Sequence, residues 1–357
     1  MRDQAAHGYV RHDDLVKFTD IKAPDPVEGM PPWRDPEWVA AAEDWISGEC
    51  ARARLTRVGP ALGRGRVYSV VARVPVSDGT VWFKASPPAS SFEPALLGAL
   101  AGWYPDRFTA PIAVDVGRAW SLTRDGGPTL RERAVRPGDV GAWHVMLRAY
   151  ARLQLGLARH AADLLALGLA DLRPGRVPDR FDRLLADPAT LRAVDAPGGI
   201  TRAEHQALGA LASRLREWCA ELADLGIPAS LDHADVHPNN VFAATGTPFD
   251  WGDAAVAHPF ASLLVALRTG AEWAALPPRS PELIALTEDY LRPWLDAGHQ
   301  RAAVDRSLSL ALRIAPLARA LTWGRVFPCF LGHPGPAAHA ARALAATLKD
   351  DPLAPDR

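Results

Sequence analysis

The sequence has few cysteines, no long apolar run and almost no net charge, and each of these features argues against a class of protein. Its three cysteines, Cys50, Cys219 and Cys329, are far apart and form no zinc-binding spacing, which indicates a reducing cytoplasm. The apolar runs are far shorter than a membrane span, and the first residues lack the apolar core of a signal peptide. The formal net charge of -1 argues against nucleic-acid binding by bulk electrostatics. We therefore expect a cytoplasmic protein with no membrane or nucleic-acid partner, of one large or two medium domains over 357 residues.

Two polar segments near the middle of the chain contain most of its chemically informative residues. The first holds a His-x-Asp motif at His233 and Asp235, followed by Asn240 five positions after the aspartate. The second, ten residues after Asn240, holds Asp250-Trp251-Gly252. Protein kinases use a His-Arg-Asp loop, an asparagine and an Asp-Phe-Gly segment at comparable spacing, to orient the attacking hydroxyl and to bind magnesium.

The combined pattern, which reads HADVHPNN and then FDWGD, resembles the aminoglycoside phosphotransferase and choline kinase group of small-molecule kinases. His237-Pro238 fits this group better than it fits the protein kinases. The resemblance covers roughly residues 55 to 330. It implies an α+β, protein-kinase-like bilobal fold with a strand-rich N-lobe and a mostly helical C-lobe.

Three segments follow from this resemblance and from the pattern of the chain. We expect an N-terminal extension and helix over residues 1–54, and a nucleotide-binding N-lobe over 55–127. A helical C-lobe with the catalytic loop and the acceptor site is expected over 128–357. Residues 1 to about 30 are polar and rich in proline, and we interpret them as a loosely ordered extension.

Hydrophobic periodicity and turn residues predict the main elements. A helix is expected from Pro36 to about Ala51, with Trp38 and Trp45 as core anchors. Two strands are expected on either side of an Asp78-Gly79 turn. Everything after the N-lobe is expected to be helical except the central motif and its small hairpin. The predicted helices of that part lie at 140–168, at 177–185, from a Thr201 capping box to 223, and from residues 259, 281, 301 and 336.

Lys84 and Glu93 are the candidate phosphate-binding pair of the N-lobe. Lys84 lies in the strand predicted after the Asp78-Gly79 turn, and Glu93 lies in the first turn of the helix that follows. The resemblance implies that Lys84 contacts the α- and β-phosphates and that Glu93 orients it. A solvated edge lysine and a carboxylate that favours a helix N-terminus are the alternatives. Arginine far outnumbers lysine in this chain, which favours a functional Lys84.

Two further segments of the N-lobe are candidate nucleotide contacts. Gly63 and Gly65 form a short G-x-G in a predicted loop between strands, where Ser69 could hydrogen-bond a phosphate, although a plain turn is equally consistent. Thr123, Arg124 and Asp125 end a predicted strand, at the position where the resemblance implies a hinge whose backbone pairs with adenine. An ordinary link from strand to helix is the alternative for this segment.

The resemblance also implies the roles of the central motif. Asp235 would orient or deprotonate the acceptor hydroxyl, and Asn240 and Asp250 would bind Mg²⁺. The donor would be ATP or GTP, and the acceptor a hydroxyl of a small molecule such as an antibiotic or a metabolite. His233 is expected to brace the loop, and His237 is expected to shape it. The sequence does not indicate an oligomeric state.

Two other functions remain open from the sequence. A metal-dependent hydrolase could use the histidines and aspartates around the motif, and a nucleotide-binding but inactive kinase-like module is the third hypothesis. The possible ligands of such a hydrolase are His233, Asp235, His237, Asp250, Asp253 and His258.

The chain departs from the family where an aspartate usually follows the proline after the Asp-Trp segment. Ser262 occupies this position, so we expect a different brace for the catalytic loop, with Asp253 as a candidate. The last third of the chain is not markedly acidic, which weakens the hypothesis of a polycationic acceptor. Its aromatic residues are expected in the core more often than in an acceptor pocket, and Arg319 and Arg325 could face the cleft. Those aromatic residues are Trp273, Trp294, Trp323 and Phe327.

Overall fold

The chain divides into two compact units, Met1–Gly127 and Pro128–Arg357, in a computed structural model. The structure describes residues 15–21, 33, 35–66, 68–134, 139–326, 334–349, 351 and 353.

The first unit is built around a six-stranded sheet, whose strand order is β1-β2-β3-β4-β6-β5. All of its neighbouring strands are antiparallel. The strands are β1 (Val16–Lys17), β2 (Leu62–Arg66), β3 (Ser69–Val76), β4 (Gly79–Ala85), β5 (Ala113–Asp115) and β6 (Trp120–Arg124). The described residues of this unit also form the α-helices α1 (Pro36–Arg52) and α2 (Glu93–Trp103).

Strict alternation of buried and partly exposed residues in β3 and β4 makes one face of this sheet the core of the unit. Helix α1 packs on that face. It begins at Pro36, as predicted, and the Asp35 side chain caps it by accepting from the Glu37 N–H. Trp38 and Trp45 lie within 5.7 Å of the Trp120 ring, centroid to centroid. Their predicted role as core anchors is confirmed.

The prediction of a loosely ordered N-terminal extension is wrong for residues 15–21. Val16 and Lys17 pair with Gly63 and Leu62 of β2, and the Phe18 side chain is buried against Phe83. A two-residue strand has no detectable period, so its pairing depends on the neighbouring strand rather than on its own pattern.

The second unit contains the His-x-Asp and Asp-Trp-Gly segments among helices and one small sheet. Its helices are α3 (Leu130–Arg133), α4 (Gly141–Leu157), α5 (Ala161–Ala166), α6 (Val177–Ala186), α7 (Pro188–Ala193), α8 (Arg202–Asp224), α9 (Leu263–Ala274), α10 (Pro281–Asp296), α11 (Arg301–Val326) and α12 (Pro334–Ala346). The long helix predicted over 140–168 is interrupted, because a 3₁₀ turn at Ala158–His160 separates α4 from α5. A capping box starts α8 at Thr201, as predicted, and another starts α3 at Thr129.

The small sheet of this unit corrects the expectation that everything outside the motif is helical. Strands β7 (Ala170–Leu172), β8 (Ser230–Asp232) and β9 (Ala255–Ala257) form it in the order β7-β9-β8. Strand β9 is parallel to β7 and antiparallel to β8. Strands of three residues are too short to show a period of their own, and tertiary packing decides them. No helix among the described residues is both long enough and apolar enough to cross a membrane.

Candidate active site

The Lys84 and Glu93 side chains meet in the first unit. The Lys84 Nζ lies 2.7 Å from the Glu93 Oε1, and the Glu93 side chain is almost fully buried. Strand alternation sets Lys84 on the face opposite to the buried Phe83, and Glu93 follows in the first turn of α2. A buried carboxylate needs such a partner, because burying an unpaired charge is costly.

Ser86 is a second partner of Glu93 that the sequence did not indicate. Its Oγ donates to the Glu93 Oε2 at 2.7 Å, so both carboxylate oxygens of Glu93 accept a bond. Ser86 is itself buried, one residue after the end of β4. The carboxylate is therefore held in one orientation from two sides.

The predicted G-x-G loop lies elsewhere than expected. Gly63 and Gly65 are inside β2, where they pair with Ala72 and Val70 of β3. Gly63 is a glycine for a packing reason, since a Cβ there would come within 2.8 Å of the Phe18 and Ile21 side chains. Ser69, the candidate phosphate contact, pairs with Arg66 as the first residue of β3.

The candidate hinge, Thr123 to Asp125, lies at the end of β6. Thr123 and Arg124 pair with β4, and the Asp125 N–H donates to the Thr80 carbonyl oxygen at 3.1 Å. In the described part of the chain, β5 pairs with β6 only as far as Leu122. Backbone groups of successive residues alternate in direction, so the Arg124 N–H and C=O point toward the edge that β5 leaves uncovered.

The catalytic loop leaves β8 after Asp232 through a strained backbone. Ala234 has φ of 60°, which costs an alanine about 1–2 kcal/mol because its Cβ approaches the carbonyl oxygen. Asp250 is also left-handed, with φ of 64°, a conformation that aspartate adopts more readily. Strained residues of this kind persist where surrounding contacts hold them, often at functional sites.

Asp235 lies in a dense set of polar partners. Its Oδ1 accepts from the Arg319 guanidinium at 2.7 Å, and its Oδ2 lies 3.3 Å from the His237 Nε2. The Asn240 Nδ2 donates to the same Oδ2 at 3.1 Å and to the Asp235 carbonyl oxygen at 3.0 Å. Burial raises the pKa of this carboxyl, but the charge of Arg319 and the contacts with His237 outweigh it, so the pKa is below its usual value. Asp235 is therefore ionised at neutral pH.

Asn240 and Asp250 carry donor atoms that suit a magnesium ion. The Asn240 Oδ1 is buried and has no hydrogen-bond partner among the described residues, although the Nδ2 of the same amide is fully used. The Phe249 N–H donates to the Asn240 carbonyl oxygen at 2.9 Å, which brings Asp250 next to Asn240 across the hairpin. An amide oxygen and a carboxylate are hard ligands of the kind that Mg²⁺ prefers. The residues present therefore fit the ion.

His233 braces the hairpin, as expected. Its Nε2–H donates to the Phe249 carbonyl oxygen at 2.9 Å, and its ring lies against Trp251 with centroids 4.5 Å apart. Burial is the main cause that holds the pKa of His233 below its usual value. The imidazole is therefore neutral and connects the His-x-Asp loop to the Asp-Trp-Gly segment.

Ser262, where the chain departs from the family, bonds directly to the residue before the His-x-Asp motif. Its Oγ donates to the Asp232 Oδ1 at 2.5 Å, and the same oxygen accepts from the Ala234 N–H at 2.9 Å. Both side chains are buried. The carboxylate that braces the loop is therefore at 232, whereas the candidate from the sequence, Asp253, contacts Arg319 at 3.2 Å.

Three side chains from α4 and α10 extend this brace. The Tyr150 hydroxyl accepts from the His233 N–H at 2.9 Å and contacts the Ser262 Oγ at 3.0 Å. The Gln154 Nε2 donates to the Leu231 carbonyl oxygen at 2.9 Å, and its Oε1 accepts from Tyr290. Nothing in the sequence pattern marks these residues, since on helices they occupy ordinary core positions.

The geometry does not support the alternative of a histidine-rich metal hydrolase. Within the described residues, no three side chains of His, Cys, Asp or Glu lie close enough together to hold a metal ion. The His258 Nδ1 instead accepts from the Phe260 N–H, and burial lowers the pKa of His258 to about 3.

The aromatic candidates for an acceptor pocket have different surroundings. Trp294 is fully buried against Phe260 and is a core residue. Trp273 is partly exposed, with the Arg131 guanidinium 4.8 Å from its ring centroid. The Trp323 and Arg325 side chains and the whole of Phe327 lie outside the described part of the chain.

Comparison with known proteins finds one family model that matches the middle of the chain. Residues 143–303 match the model of the phosphotransferase enzyme family, APH. This segment includes the whole of the motif from His233 to Gly252. No curated protein sequence matches the chain.

Solved structures show the fold. An ethanolamine kinase from Plasmodium vivax has 11% identity and a TM-score of 0.51, over 82% of this chain and 81% of its own. The amicoumacin kinase hAmiN has 13% identity and a TM-score of 0.53, over 90% of this chain and 98% of its own. A choline/ethanolamine kinase family protein from Mesorhizobium loti has 14% identity and a TM-score of 0.51, over 87% of this chain and 95% of its own.

These comparisons confirm the predicted α+β protein-kinase-like fold and the predicted enzyme class. Over residues 143–303, the match to the phosphotransferase enzyme family agrees with the resemblance that the motif indicated.

Proposed function

We propose that the protein transfers the γ-phosphoryl group of ATP, or of GTP, to a hydroxyl group of a small molecule. The observation that carries this proposal is the pairing of Asp235 with Asn240. The ionised Asp235 carboxylate and the Asn240 Oδ1, which has no hydrogen-bond partner among the described residues, belong to one hydrogen-bonded loop. Such a loop offers a hydrogen-bond acceptor for an attacking hydroxyl beside a ligand for a hard cation.

The reaction requires one bond to form and one to break. The acceptor oxygen forms a bond to the γ-phosphorus, and the bond from that phosphorus to the bridging oxygen breaks, so the nucleoside diphosphate leaves. The hydroxyl proton passes to the Asp235 carboxylate. Because its partners lower the pKa of Asp235, the carboxylate is a weak base. We infer that it mainly orients the hydroxyl, which suits a loose transition state that needs positioning more than early proton abstraction.

Asn240 and Asp250 would hold Mg²⁺, which when bound neutralises the charge of the nucleotide phosphates. Two protein ligands suit this ion, because it usually keeps waters and takes phosphate oxygens for its other positions. In the first unit, Lys84 would contact the α- and β-phosphates, with Glu93 as its orienting partner. Ser69 is proposed as a further phosphate contact. The backbone of Thr123 to Asp125 is proposed to pair with the nucleotide base, which suits the uncovered edge at Arg124.

The proposal keeps the functions that the sequence analysis assigned to the two parts of the chain. Residues 55–127 would bind the nucleotide, and residues 128–357 would supply the catalytic loop and the acceptor site. The structure of the amicoumacin kinase holds AMP-PNP and Ca²⁺, which supports an adenine nucleotide and a divalent cation here. The names of the neighbours include ethanolamine and amicoumacin, which supports a small-molecule acceptor.

Thermal unfolding with nucleotide and metal tests the donor first. We expect Mg-ATP or Mg-GTP to raise the unfolding midpoint, since a ligand at about 100 times its dissociation constant stabilises by about 2.7 kcal/mol. The shift should require magnesium and should be lost in Asp250→Ala. Stabilisation by zinc, with none by either nucleotide, would support the hydrolase instead.

An acceptor screen tests the transfer itself. With the preferred nucleotide, release of the diphosphate is measured over a panel of amino alcohols, aminoglycosides and other small hydroxyl compounds. We expect at least one compound to stimulate release and to gain the mass of one phosphoryl group. Nucleotide binding without transfer to any compound would instead support the inactive kinase-like module.

A further inference from the structure

Arg319 bonds to the catalytic loop from a position on α11 that lies beyond the segment matched by the family model. Its NH1 donates to the Ala234 carbonyl oxygen at 2.6 Å, and its NH2 donates to the Asp235 Oδ1 at 2.7 Å. The NH1 also lies 3.2 Å from the Asp253 Oδ2. The planar, forked guanidinium makes these bonds from two nitrogens at fixed separation, whereas all three donors of an ammonium group lie on one nitrogen.

The helix that carries Arg319 is anchored to the small sheet of the same unit. Ala318, the residue before it, packs with Ala255 and Ala257 of β9. Alanine at these positions keeps the space between helix and strand small. Strand β8, from which the catalytic loop departs, is the antiparallel neighbour of β9. The position of Arg319 relative to the loop is therefore fixed by packing within one unit.

The bonds of Arg319 fall on the strained part of the loop. Ala234 is left-handed, and its peptide groups are held on both sides, the N–H by Asp232 and the carbonyl oxygen by Arg319. The Asp235 Oδ1 also accepts a hydrogen bond from Arg319. Without these bonds, the loop could relax to an ordinary right-handed or extended conformation, which would move the Asp235 carboxylate.

We propose that Arg319 is a positioning residue for phosphoryl transfer, which holds the Ala234 backbone and the Asp235 carboxylate in the reactive arrangement. This inference rests on the proposed function. It assigns Arg319 to the loop rather than to the acceptor, although the sequence suggested an arginine facing the cleft. Its guanidinium is committed to three oxygens of the protein, so an anionic acceptor would have to displace one of them.

The test compares Arg319→Gln with a matched control on the same helix, Arg306→Gln, which removes a surface pair with Glu221. We expect Arg319→Gln to lower kcat by about 10- to 100-fold, since misplacement of a catalytic group by about 1 Å can cost about 100-fold. The KM values for nucleotide and acceptor should change little. The control should keep the wild-type kcat.

A double-mutant comparison separates positioning from a general structural role. Residues that act as a unit are non-additive in rate, so Arg319→Gln should cost little more in an Asp235→Asn background. Arg319→Lys serves if Arg319→Gln folds poorly, and should recover only part of kcat because it restores the charge without the fork. An equal loss in both backgrounds, or a rise in acceptor KM with kcat unchanged, would overturn the proposal.

Hydrogen exchange gives a readout that does not need turnover. We expect amides in residues 231–240 to exchange faster in Arg319→Gln than in wild type, and to be unchanged in Arg306→Gln. Unchanged exchange in Arg319→Gln would refute the positioning role. If the wild-type protein phosphorylates no acceptor, the proposed function fails, and exchange still decides whether Arg319 holds the loop.

Discussion

Two carboxylates of this protein each hold a cation at 2.7 Å, Glu93 with Lys84 in the first unit and Asp235 with Arg319 in the second. The partners of the first pair are nine residues apart in the chain, and those of the second are 84 apart. The first pair follows from a strand and the helix after it, and the sequence pattern indicated both residues. The second requires a distant helix to pack beside the loop, which no local pattern encodes.

The two pairs also differ in which member would do the chemistry. Glu93 is the buried partner whose task would be to orient Lys84 toward phosphate. In the second pair the arginine would orient the carboxylate. Substitution of the orienting residue should therefore reduce nucleotide affinity in the first unit and reduce kcat in the second. The predictions below test this difference.

Asp235→Asn should have the largest effect. We expect kcat to fall by about 10²- to 10⁴-fold, the usual contribution of a positioned acid–base group. The measurement is diphosphate release at saturating nucleotide and acceptor. Asp224→Asn, at the exposed end of α8, is the control and should keep full activity. Near-normal turnover in Asp235→Asn would show that another group orients the acceptor.

Glu93→Gln should weaken nucleotide binding rather than kcat. A hydrogen bond to a charged group contributes about 1.5–3 kcal/mol, and about 1.4 kcal/mol corresponds to a tenfold change in affinity. We therefore expect Mg-nucleotide affinity to fall by about 10- to 100-fold, measured by calorimetric titration. Glu37→Gln, which is exposed in the first turn of α1, should bind normally. A drop in kcat with unchanged affinity would contradict the comparison drawn here.

Asp232→Asn and Ser262→Ala should be coupled in stability. The two side chains share a buried hydrogen bond, and contacting residues usually show interaction energies of about 0.5–3 kcal/mol. The denaturation midpoints of both single variants and of the double variant measure this coupling. Additive effects would mean that the brace of the catalytic loop does not depend on this bond.

Ser86→Ala should have the smallest effect. It removes one of two bonds to the Glu93 carboxylate and leaves the ion pair with Lys84 intact. We expect a loss of nucleotide affinity below that of Glu93→Gln, because Lys84 still orients the carboxylate. Ser77→Ala, in the turn between β3 and β4, provides the comparison. An effect of Ser86→Ala as large as that of Glu93→Gln would show that Ser86, rather than Lys84, sets the orientation of Glu93.

Much of the fold and of the motif could be predicted because the signals are local. A turn joins β3 and β4 as expected, although it lies at Ser77-Asp78 and Gly79 already begins β4. The capping boxes at Thr129 and Thr201 start helices. The small sheet, the pairing of Val16 with Gly63 and the buried Asp232–Ser262 bond could not be predicted. Each joins short segments that have no period of their own, or side chains far apart in sequence.

The sequence by itself determined the residue types of the motif, their spacing and the elements that carry them, because periods, caps and turns act over a few residues. Only the tertiary structure decided how the loop is held. Small side chains let α11 pack on β9, which brings Arg319 to the Ala234 carbonyl oxygen, and α4 brings Tyr150 to the His233 N–H. These bonds depend on packing between distant segments, and packing is a property of the folded chain rather than of any one stretch of it.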